Sequence, residues 1–453
     1  MKKERFIVIG GVAAGMSAAS RARTLRPDME ILVFERNGYV SHVACGMPYL
    51  ISDKVKSSDS LVIYSAQFFK EKRNIDVFLH SEVRQVSPHK KTVLVRDITG
   101  EEREYSYDKL LISTGARPVV PPIDGVNLKG IFTLRRHEDG IAVKDYISRH
   151  FPKNGLIVGA GYIGMEMAEA FSETGMKVAV AEKMPSILGT MDDEINEMVE
   201  EGLKRHGIAL LKSKAVVKFT GEGDSVRKAI LEGGESIDVA IALIGAGIRP
   251  NSEVTKDAGI ELGQGGAIRV NRRMETNVPD IYAAGDCAEA YHLVLGRNAY
   301  IPLGTTANKQ GKVVGENVAG GKASFSGIVG TAIFKVFDLE VGRTGITEKE
   351  AGTEGINYVS NVVEHTSKAH YYPGVSMIRV KLVADKETGR LLGAQMVGGE
   401  GVSKRIDVFA TAITAKMTAQ EIALLDLGYA PPFAPVYDPI LIAAEQLKKR
   451  ILK

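Results

Sequence analysis

The amino-acid sequence predicts an α/β protein with two Rossmann-like domains and a C-terminal α+β domain. Two stretches share one pattern, in which a short apolar strand leads into glycines and then into an apolar helix: RFIVIGGVAAGMSAASRARTL and GLIVGAGYIGMEMAEAFSETG. Near the C-terminal end, VSMIRVKLVADKETGRLLGAQMVG alternates apolar and polar residues around a turn. The first pattern is typical of strands in a parallel sheet, and the second of an antiparallel hairpin.

The two glycine loops have the composition of dinucleotide-binding turns. Their glycines are Gly10, Gly11 and Gly15 in the first copy and Gly159, Gly161 and Gly164 in the second. Such glycines let the backbone approach a pyrophosphate, which the N-terminus of the following helix then binds. Each copy precedes a strand that ends in an acid suited to ribose hydroxyls, Glu35 and Glu182 respectively. The first loop departs from the full motif, because Val12 replaces its middle glycine. We predict two dinucleotide sites.

Further segments indicate which nucleotide each domain binds. TNVPDIYAAGDCAEA resembles the second flavin motif of glutathione-reductase-like flavoproteins, and LLISTGARP and ALIGAGIRPN resemble the segments that leave and re-enter their FAD domain. The resemblance implies an FAD domain over 1–115 and 250–325, an inserted NAD(P)H domain over 116–249, and a C-terminal dimerisation domain over 326–453. It also implies that FAD contacts Arg36, Thr114, Gly115, Gly247, Gly285 and Asp286.

Composition excludes several other classes of protein. The 453 residues carry a net charge of only +3, which gives no bias toward nucleic acid. Two cysteines make no disulfide framework and favour a cytoplasmic location. The basic N-terminus could pass for a signal peptide, but the strand–turn–helix pattern explains it better, and no apolar run reaches the ~20 residues of a membrane helix. No Cys/His cluster indicates a metal.

One cysteine has a sequence context that indicates redox chemistry. Cys45 lies in SHVACGMPYL, after the Glu35 strand, where the chain would run back past the flavin. A thiol must be deprotonated to react, and a helix N-terminus after Cys45 would lower its pKa. His42 is a weaker candidate for the same effect. The alternative is a buried structural cysteine, the commoner fate of a free thiol, and we expect that fate for Cys287.

This segment resembles the single-cysteine branch of the pyridine nucleotide–disulfide oxidoreductases. Two-cysteine members carry C-x4-C, where this chain has Leu50, and they end in a His-Pro motif, where this chain has Tyr429 in YAPPFAPVYDP. The resemblance implies a homodimer in which Cys45 alternates between a free thiolate and a mixed disulfide with coenzyme A. Tyr371 and Tyr429 would enter the partner's active site and protonate the leaving thiolate, with Pro431 and Pro432 holding the backbone extended to aim Tyr429.

The same resemblance supplies further candidate residues. Those for coenzyme A are Ser17, Arg21, Thr24, Ser41, Ala44 and Arg73. Ser17, Arg21 and Thr24 fall on one helix face, and an arginine suits phosphate by its fork geometry, although a solvated basic face is an equally simple explanation. Tyr162 is a candidate gate for the nicotinamide, and Glu166, one turn further on, a candidate contact.

The acceptor and the nucleotide stay open at this stage. Oxidases and peroxidases of the branch carry a histidine in the first glycine loop, where this chain has Ala13. This favours reduction of coenzyme A disulfide, persulfide or polysulfide over a peroxide-forming NADH oxidase or a peroxidase. A non-catalytic redox-sensing module is a third alternative. Glu182 favours NADH over NADPH, and Lys183 beside it would soften that preference.

Overall fold

The structure is a computed structural model that describes residues 3–452. Its strands are β1 (Arg5–Ile9), β2 (Glu30–Phe34), β3 (Asp76–Phe78), β4 (Glu82–Ser87), β5 (Thr92–Arg96), β6 (Glu102–Ser106), β7 (Lys109–Ile112), β8 (Ala116–Pro118), β9 (Ile131–Phe132), β10 (Asn154–Val158), β11 (Lys177–Glu182), β12 (Ala209–Lys212), β13 (Val216–Glu222), β14 (Ser225–Leu231), β15 (Ser236–Asp238), β16 (Ile241–Ile244), β17 (Ile248–Pro250), β18 (Ile281–Ala283), β19 (Ala290–His292), β20 (Arg297–Ala299), β21 (Ala332–Val336), β22 (Leu339–Gly345), β23 (Tyr358–Thr366), β24 (Met377–Asp385) and β25 (Leu391–Gly398). Its α-helices are α1 (Ala13–Leu25), α2 (Met47–Ile51), α3 (Ala66–Arg73), α4 (His137–His150), α5 (Tyr162–Glu173), α6 (Asp193–Arg205), α7 (Gly304–Val318), α8 (Glu348–Thr353), α9 (Val402–Thr414), α10 (Ala419–Ala423) and α11 (Pro439–Ile451).

The chain divides into two compact units. Among the described residues, the first comprises 3–119, Thr133–Arg149 and Gly247–Ile328, and the second comprises Val120–Phe132, His150–Ala246 and 329–452. The first therefore combines the two predicted FAD segments. The second contains most of the predicted NAD(P)H domain together with the predicted dimerisation domain, so the three-domain division stays a prediction.

The first unit contains a five-stranded parallel sheet in the order β18-β7-β1-β2-β3. Strand β1 is almost wholly buried, as expected for a central strand covered on both faces. A three-stranded antiparallel sheet, β4-β5-β6, adjoins it in sequence, and helices α1 and α7 pack together. The two predicted crossing segments form β8 and β17, which pair antiparallel.

One segment of the first unit was expected in the inserted domain. Thr133–Arg149 falls within 116–249, yet it groups with the first unit. Contacts explain this placement: Arg135 forms an ion pair with Asp286, and Glu138 accepts a hydrogen bond from the backbone N–H of Gly38. These contacts are made between residues far apart in sequence, which local patterns do not reveal.

The second unit contains two five-stranded sheets. The parallel sheet has the order β12-β11-β10-β16-β9, and the antiparallel sheet has the order β21-β22-β25-β24-β23. The predicted hairpin is β24–β25, paired antiparallel. The predicted helical stretch that follows is α9 and then α10, which begins with a capping box at Thr418 and Glu421. Among residues 3–452, every helix is too short or too polar to span a bilayer.

Candidate active site

The first glycine loop is shaped by close backbone contacts. Gly10 has φ +99°, and a Cβ on Gly15 would lie 1.9 Å from the carbonyl oxygen of Gly10. Helix α1 begins directly after Val12, which makes no side-chain cap bond. The first-turn N–H groups of α1 are therefore without a side-chain cap at this end. The valine in place of the middle glycine thus occupies the N-cap position of the helix.

The acid after this loop has a defined set of partners. Glu35 is 4% exposed. Its carboxylate accepts hydrogen bonds from the backbone N–H of Gly11 at 2.8 Å, and from the backbone and side-chain nitrogens of Asn37 at 2.9 and 2.7 Å. A carboxylate has about four acceptor positions, so one remains for a ribose hydroxyl. Asn37 is a residue that sequence reasoning did not single out.

A cationic cavity of about 480 Å³ lies in the first unit beside Glu35. Its lining has five arginines (Arg36, Arg96, Arg117, Arg135 and Arg136), three carboxylates (Glu82, Asp97 and Asp139) and the polar residues His80, Asn37 and Thr133. The arginines outnumber the carboxylates, and a net positive charge suits a ligand that carries phosphates. Because Arg36 and Asn37 directly follow Glu35, the cavity suits the adenosine end of FAD. Arg36 was predicted to contact FAD, whereas the other four arginines were not, because separate segments of the chain bring them together.

The second flavin motif contacts Arg135, one of the arginines that line this cavity. The Asp286 carboxylate forms an ion pair of 2.6 Å with Arg135. The Tyr300 hydroxyl donates to the backbone oxygen of Asp286, and burial, followed by the charge of Asp286, raises the pKa of Tyr300. Gly285 has φ +80°, a conformation that favours glycine. Arg135 and Tyr300 are further residues that the sequence did not indicate.

The crossing segments place the remaining predicted FAD residues in the first unit. Thr114 donates its hydroxyl to the backbone oxygen of Asn251, and the Asn251 side chain donates to the backbone oxygen of Thr114. Gly115 and Gly247 both have positive φ. A Cβ on Gly115 would lie 3.7 Å from a guanidinium nitrogen of Arg135. Thr114 and Gly115 therefore adjoin the same arginine that pairs with the flavin-motif aspartate.

The second glycine loop repeats these features in the second unit. Gly159 has φ +102°, and a Cβ on Gly164 would lie 2.1 Å from the Gly159 carbonyl oxygen. Gly161 is the N-cap of α5, and no heavy atom lies within 4 Å of the position that its Cβ would take. The Glu182 carboxylate accepts from the backbone N–H groups of Ala160 at 2.7 Å and Met184 at 2.8 Å. This open, uncapped turn fits a nucleotide diphosphate.

Two side chains of α5 have perturbed acidity. The Tyr162 hydroxyl accepts a hydrogen bond from Thr190 at 2.8 Å, and burial raises the pKa of Tyr162. Burial, with a smaller effect of the neighbouring Glu169 charge, raises the pKa of Glu166 to about 7. A carboxyl group that changes charge near neutral pH is typical of a functional site. Lys183, in contrast, is exposed.

The two cysteines differ sharply in environment. Cys45 is exposed and lies in a short 3-10 turn, Ala44–Gly46, that leads into α2. Cys287 is fully buried, its thiol donates to the carbonyl oxygens of Ile112 and Ala284 at 3.4 Å, and burial raises its pKa. Cys287 is therefore a packing residue. Burial, with the nearby His137, lowers the pKa of His42, so His42 adds no positive charge beside Cys45 at neutral pH.

The predicted coenzyme A residues of the first unit fall into two groups. On α1, Ser17 donates to Asn308 and Arg21 forms an ion pair of 2.7 Å with Glu316, and both of these partners lie on α7. The Thr24 hydroxyl donates to the Ser20 carbonyl oxygen in the same helix. Ala44 is the first residue of the Cys45 turn and Ser41 lies three residues before it, where its N–H donates to the Gly11 carbonyl oxygen at 2.9 Å. Arg73, at the end of α3, has no carboxylate partner among the residues described.

The two predicted tyrosines lie together in the second unit. Tyr371 is 65% exposed and Tyr429 49% exposed. A side-chain hydrogen bond with Tyr371 is the main cause of a raised Tyr429 pKa. We expected an extended backbone after Tyr429, and this expectation was wrong. The N–H groups of Phe433 and Ala434 both donate to the Ala430 carbonyl oxygen, so the backbone forms a turn there. The prolines preset this turn, since proline φ suits turns as well as extended chain.

Comparison with known proteins identifies the family. The family model described as pyridine nucleotide-disulphide oxidoreductase matches residues 4–311, and its dimerisation-domain model matches residues 331–439. An NAD(P)H coenzyme A polysulfide/persulfide reductase of Pyrococcus horikoshii is 41% identical, over 98% of this chain and 99% of its own length. A coenzyme A disulfide reductase of Staphylococcus haemolyticus is 33% identical, over 95% and 96%.

A solved structure of an NAD-dependent persulfide reductase from A. fulgidus superposes with a TM-score of 0.95 at 39% identity, covering 98% of this chain and 83% of that one. The predicted fold class and enzyme class are confirmed, as are the FAD and NAD(P)H cofactors that the cavity and the second loop fit. The chain belongs to the pyridine nucleotide-disulphide oxidoreductases.

Proposed function

We propose that this flavoprotein uses NAD(P)H to reduce coenzyme A disulfide, or a coenzyme A persulfide or polysulfide, through Cys45. The observation that carries the proposal is the contrast between the two thiols. Cys45 is exposed in a turn, whereas Cys287 is fully buried and hydrogen-bonded. With no second accessible cysteine in the sequence, the disulfide partner of Cys45 must come from a separate molecule.

The net reaction consumes one NAD(P)H, one proton and one coenzyme A disulfide, and yields NAD(P)⁺ and two coenzyme A thiols. When bound, FAD supplies the carrier that relays the electron pair from the nicotinamide to sulfur. The Cys45 thiolate attacks one sulfur of the disulfide, which forms a Cys45–coenzyme A mixed disulfide and releases one coenzyme A thiolate. The incoming electron pair then cleaves the mixed disulfide, which restores the Cys45 thiolate and releases the second coenzyme A thiolate.

Two released thiolates need protons, and the tyrosine pair is suited to supply them. The phenol of Tyr429, whose pKa the Tyr371 hydrogen bond raises, is protonated at neutral pH and able to donate to sulfur. The dimerisation-domain match includes both tyrosines. We propose that they act in the active site of the partner subunit of a homodimer. The sequence has only two cysteines and so no disulfide framework, which supports a cytoplasmic location.

The test is anaerobic oxidation of NADH with coenzyme A disulfide as the acceptor, measured at 340 nm. Cys45→Ser should abolish turnover, and Cys287→Ala serves as the matched control and should retain it. NADH consumption that needs oxygen and is unaffected by coenzyme A disulfide would instead assign the enzyme as an NADH oxidase. The same anaerobic assay with polysulfide in place of coenzyme A disulfide shows which of the two acceptors the enzyme reduces.

A further inference from the structure

A row of buried polar side chains crosses the antiparallel sheet of the second unit. Arg343 on β22 pairs with Gln395 on β25, which in turn pairs with Lys381 on β24. Residues directly opposite each other in paired strands place their side chains on the same face of the sheet. These three are only 9%, 1% and 3% exposed. Burying a polar side chain costs free energy unless it has a partner, so the row needs polar groups from another element.

The loop that follows strand β11 borders the second nucleotide site. It covers 183–192, which we call the β11 loop, and it begins directly after the acid that ends β11. The Leu188 N–H donates to the carbonyl oxygen of Ala160, in the glycine loop, at 3.0 Å. The Thr190 hydroxyl donates to the hydroxyl of Tyr162, in the first turn of α5, at 2.8 Å. The β11 loop is therefore bonded to both parts of the turn that fits a nucleotide diphosphate.

The polar row of the sheet binds the C-terminal end of the β11 loop. Arg343 donates to the backbone oxygen of Thr190. Gln395 accepts from the Asp192 N–H at 2.7 Å and donates to the Asp192 carboxylate. Lys381 forms an ion pair of 3.4 Å with the same carboxylate. Asp192 is itself 7% exposed, so these bonds are shielded from water.

The sheet, and not the helix that follows, holds this end of the loop. Asp192 is the N-cap residue of α6, yet its side chain makes no cap bond there. Its carboxylate instead accepts from the N–H groups of Glu348 at 3.0 Å and Lys349 at 3.3 Å. Lys381 also forms an ion pair with Glu348 at 2.7 Å. All of these partners of Asp192 fall within 331–439, the residues that match the dimerisation-domain model.

We propose that Arg343 and Gln395 are positioning residues for NAD(P)H, which act by holding the β11 loop in the conformation that completes the nucleotide site. A site that is formed in only a fraction of the molecules has its apparent Kd raised by the inverse of that fraction. Loss of either residue frees the end of the loop and so weakens nucleotide binding. The dimerisation domain thereby contributes to NAD(P)H affinity. The inference rests on the NAD(P)H half of the proposed function.

The test is calorimetric binding of ADP-ribose to the holoenzyme. ADP-ribose has the adenosine and diphosphate of NADH but no nicotinamide, so it binds without reducing the flavin. Gln395→Met removes both bonds to Asp192 with little change in volume and should raise the Kd at least about fivefold, which is about 1 kcal/mol. Arg343→Lys retains the buried charge but loses the guanidinium fork, and should raise the Kd about threefold. The limiting rate of anaerobic flavin reduction at saturating NADH should change less than about twofold in both.

Asn361→Ala is the matched control. Asn361 is 2% exposed on β23 of the same sheet, and its side chain donates to the backbone oxygen of Ala443, in α11, at 2.9 Å. Its loss removes a buried hydrogen bond of the sheet at a position outside the polar row. The Asn361→Ala variant should lose stability while its Kd for ADP-ribose stays within about twofold of the wild type.

A Kd within about twofold of the wild type in Gln395→Met and in Arg343→Lys would overturn the inference, as would an equal rise of the Kd in Asn361→Ala. If Gln395→Met does not fold, Arg343→Lys decides alone. ADP-ribose binding needs no sulfur acceptor, which separates this inference from the proposed reaction. If the wild type fails to reduce coenzyme A disulfide while Gln395→Met weakens ADP-ribose binding as expected, the positioning role stands and the reaction does not. A wild type that binds no ADP-ribose refutes the positioning role.

Discussion

Arg405 is expected to hold the two tyrosine segments in place. Its side chain is 9% exposed and forms an ion pair with Asp438, itself 10% exposed, through bonds of 2.8 to 3.1 Å. The same guanidinium donates to the backbone oxygen of Ser367 at 2.9 Å and that of Phe433 at 3.3 Å. Ser367 precedes Tyr371 by four residues, and Phe433 follows Tyr429 by four.

Arg405→Met should therefore destabilise the protein and also disturb the tyrosine pair. Removing one partner of a buried ion pair costs about 3–5 kcal/mol, because the other charge stays buried and unpaired. The double variant Arg405→Met, Asp438→Asn should lose less stability than the sum of the losses in the two single variants, because neither buried charge then remains. The Asn retains an oxygen to cap α11, as Asp438 does through the N–H of Ile440.

The assay is urea unfolding followed by far-UV circular dichroism, together with kcat for the disulfide. Lys404→Met is the control, because this neighbouring lysine is 84% exposed and its loss should change stability by less than about 0.5 kcal/mol. A cost below about 1 kcal/mol for Arg405→Met, or a strictly additive double variant, would refute the reasoning. So would a destabilised Arg405→Met enzyme whose kcat is unchanged.

Three further predictions concern the nucleotide and the proton donor. Burial raises the pKa of Glu166 to about 7, so the folded state retains a proton that the unfolded state loses above pH 4.5. The free energy of unfolding should therefore fall as the pH rises from 4.5 to 7. Glu166→Gln should remove up to about 3 kcal/mol of that fall, measured as the difference between the urea midpoints at pH 5 and pH 8. The same difference between the midpoints at pH 5 and pH 8 in the wild type and in Glu166→Gln would contradict this. Glu182→Ala should raise KM for NADH and increase the NADPH/NADH ratio of kcat/KM, and an unaltered ratio would exclude Glu182 as the selecting group. Tyr429→Phe should lower kcat for coenzyme A disulfide by about 10²-fold or more, and wild-type kcat would remove it from the proton-transfer step.

The elements that local patterns encode were predicted well. The glycine loops, strand β2 that leads directly to Glu35, strand β11 that ends in Glu182, and the β24–β25 hairpin all follow from short stretches with one periodicity. The crossing segments were also recognised, and they pair as β8 and β17. These features depend on residues close in sequence, so the sequence carries their signal directly.

Features made by distant residues were not predictable in the same way. The Arg135–Asp286 ion pair joins positions 151 residues apart, and the Arg21–Glu316 pair joins positions 295 apart. The local sequence around each arginine does not indicate its carboxylate partner, because only folding brings the two residues of each pair together. The turn after Tyr429 was missed for a different reason, since a Pro-Pro pair fits both extended chain and turns.

The account depends on Cys45 holding a disulfide with its substrate, and the mass of the intact protein tests this directly. The holoenzyme is mixed with coenzyme A disulfide without reductant and freed of small molecules before mass spectrometry. We predict one coenzyme A adduct per chain, mapped to Cys45, released by thiol, present in Cys287→Ala and absent from Cys45→Ser. An unmodified Cys45 under these conditions, or an adduct that persists in Cys45→Ser, would contradict the proposed reaction.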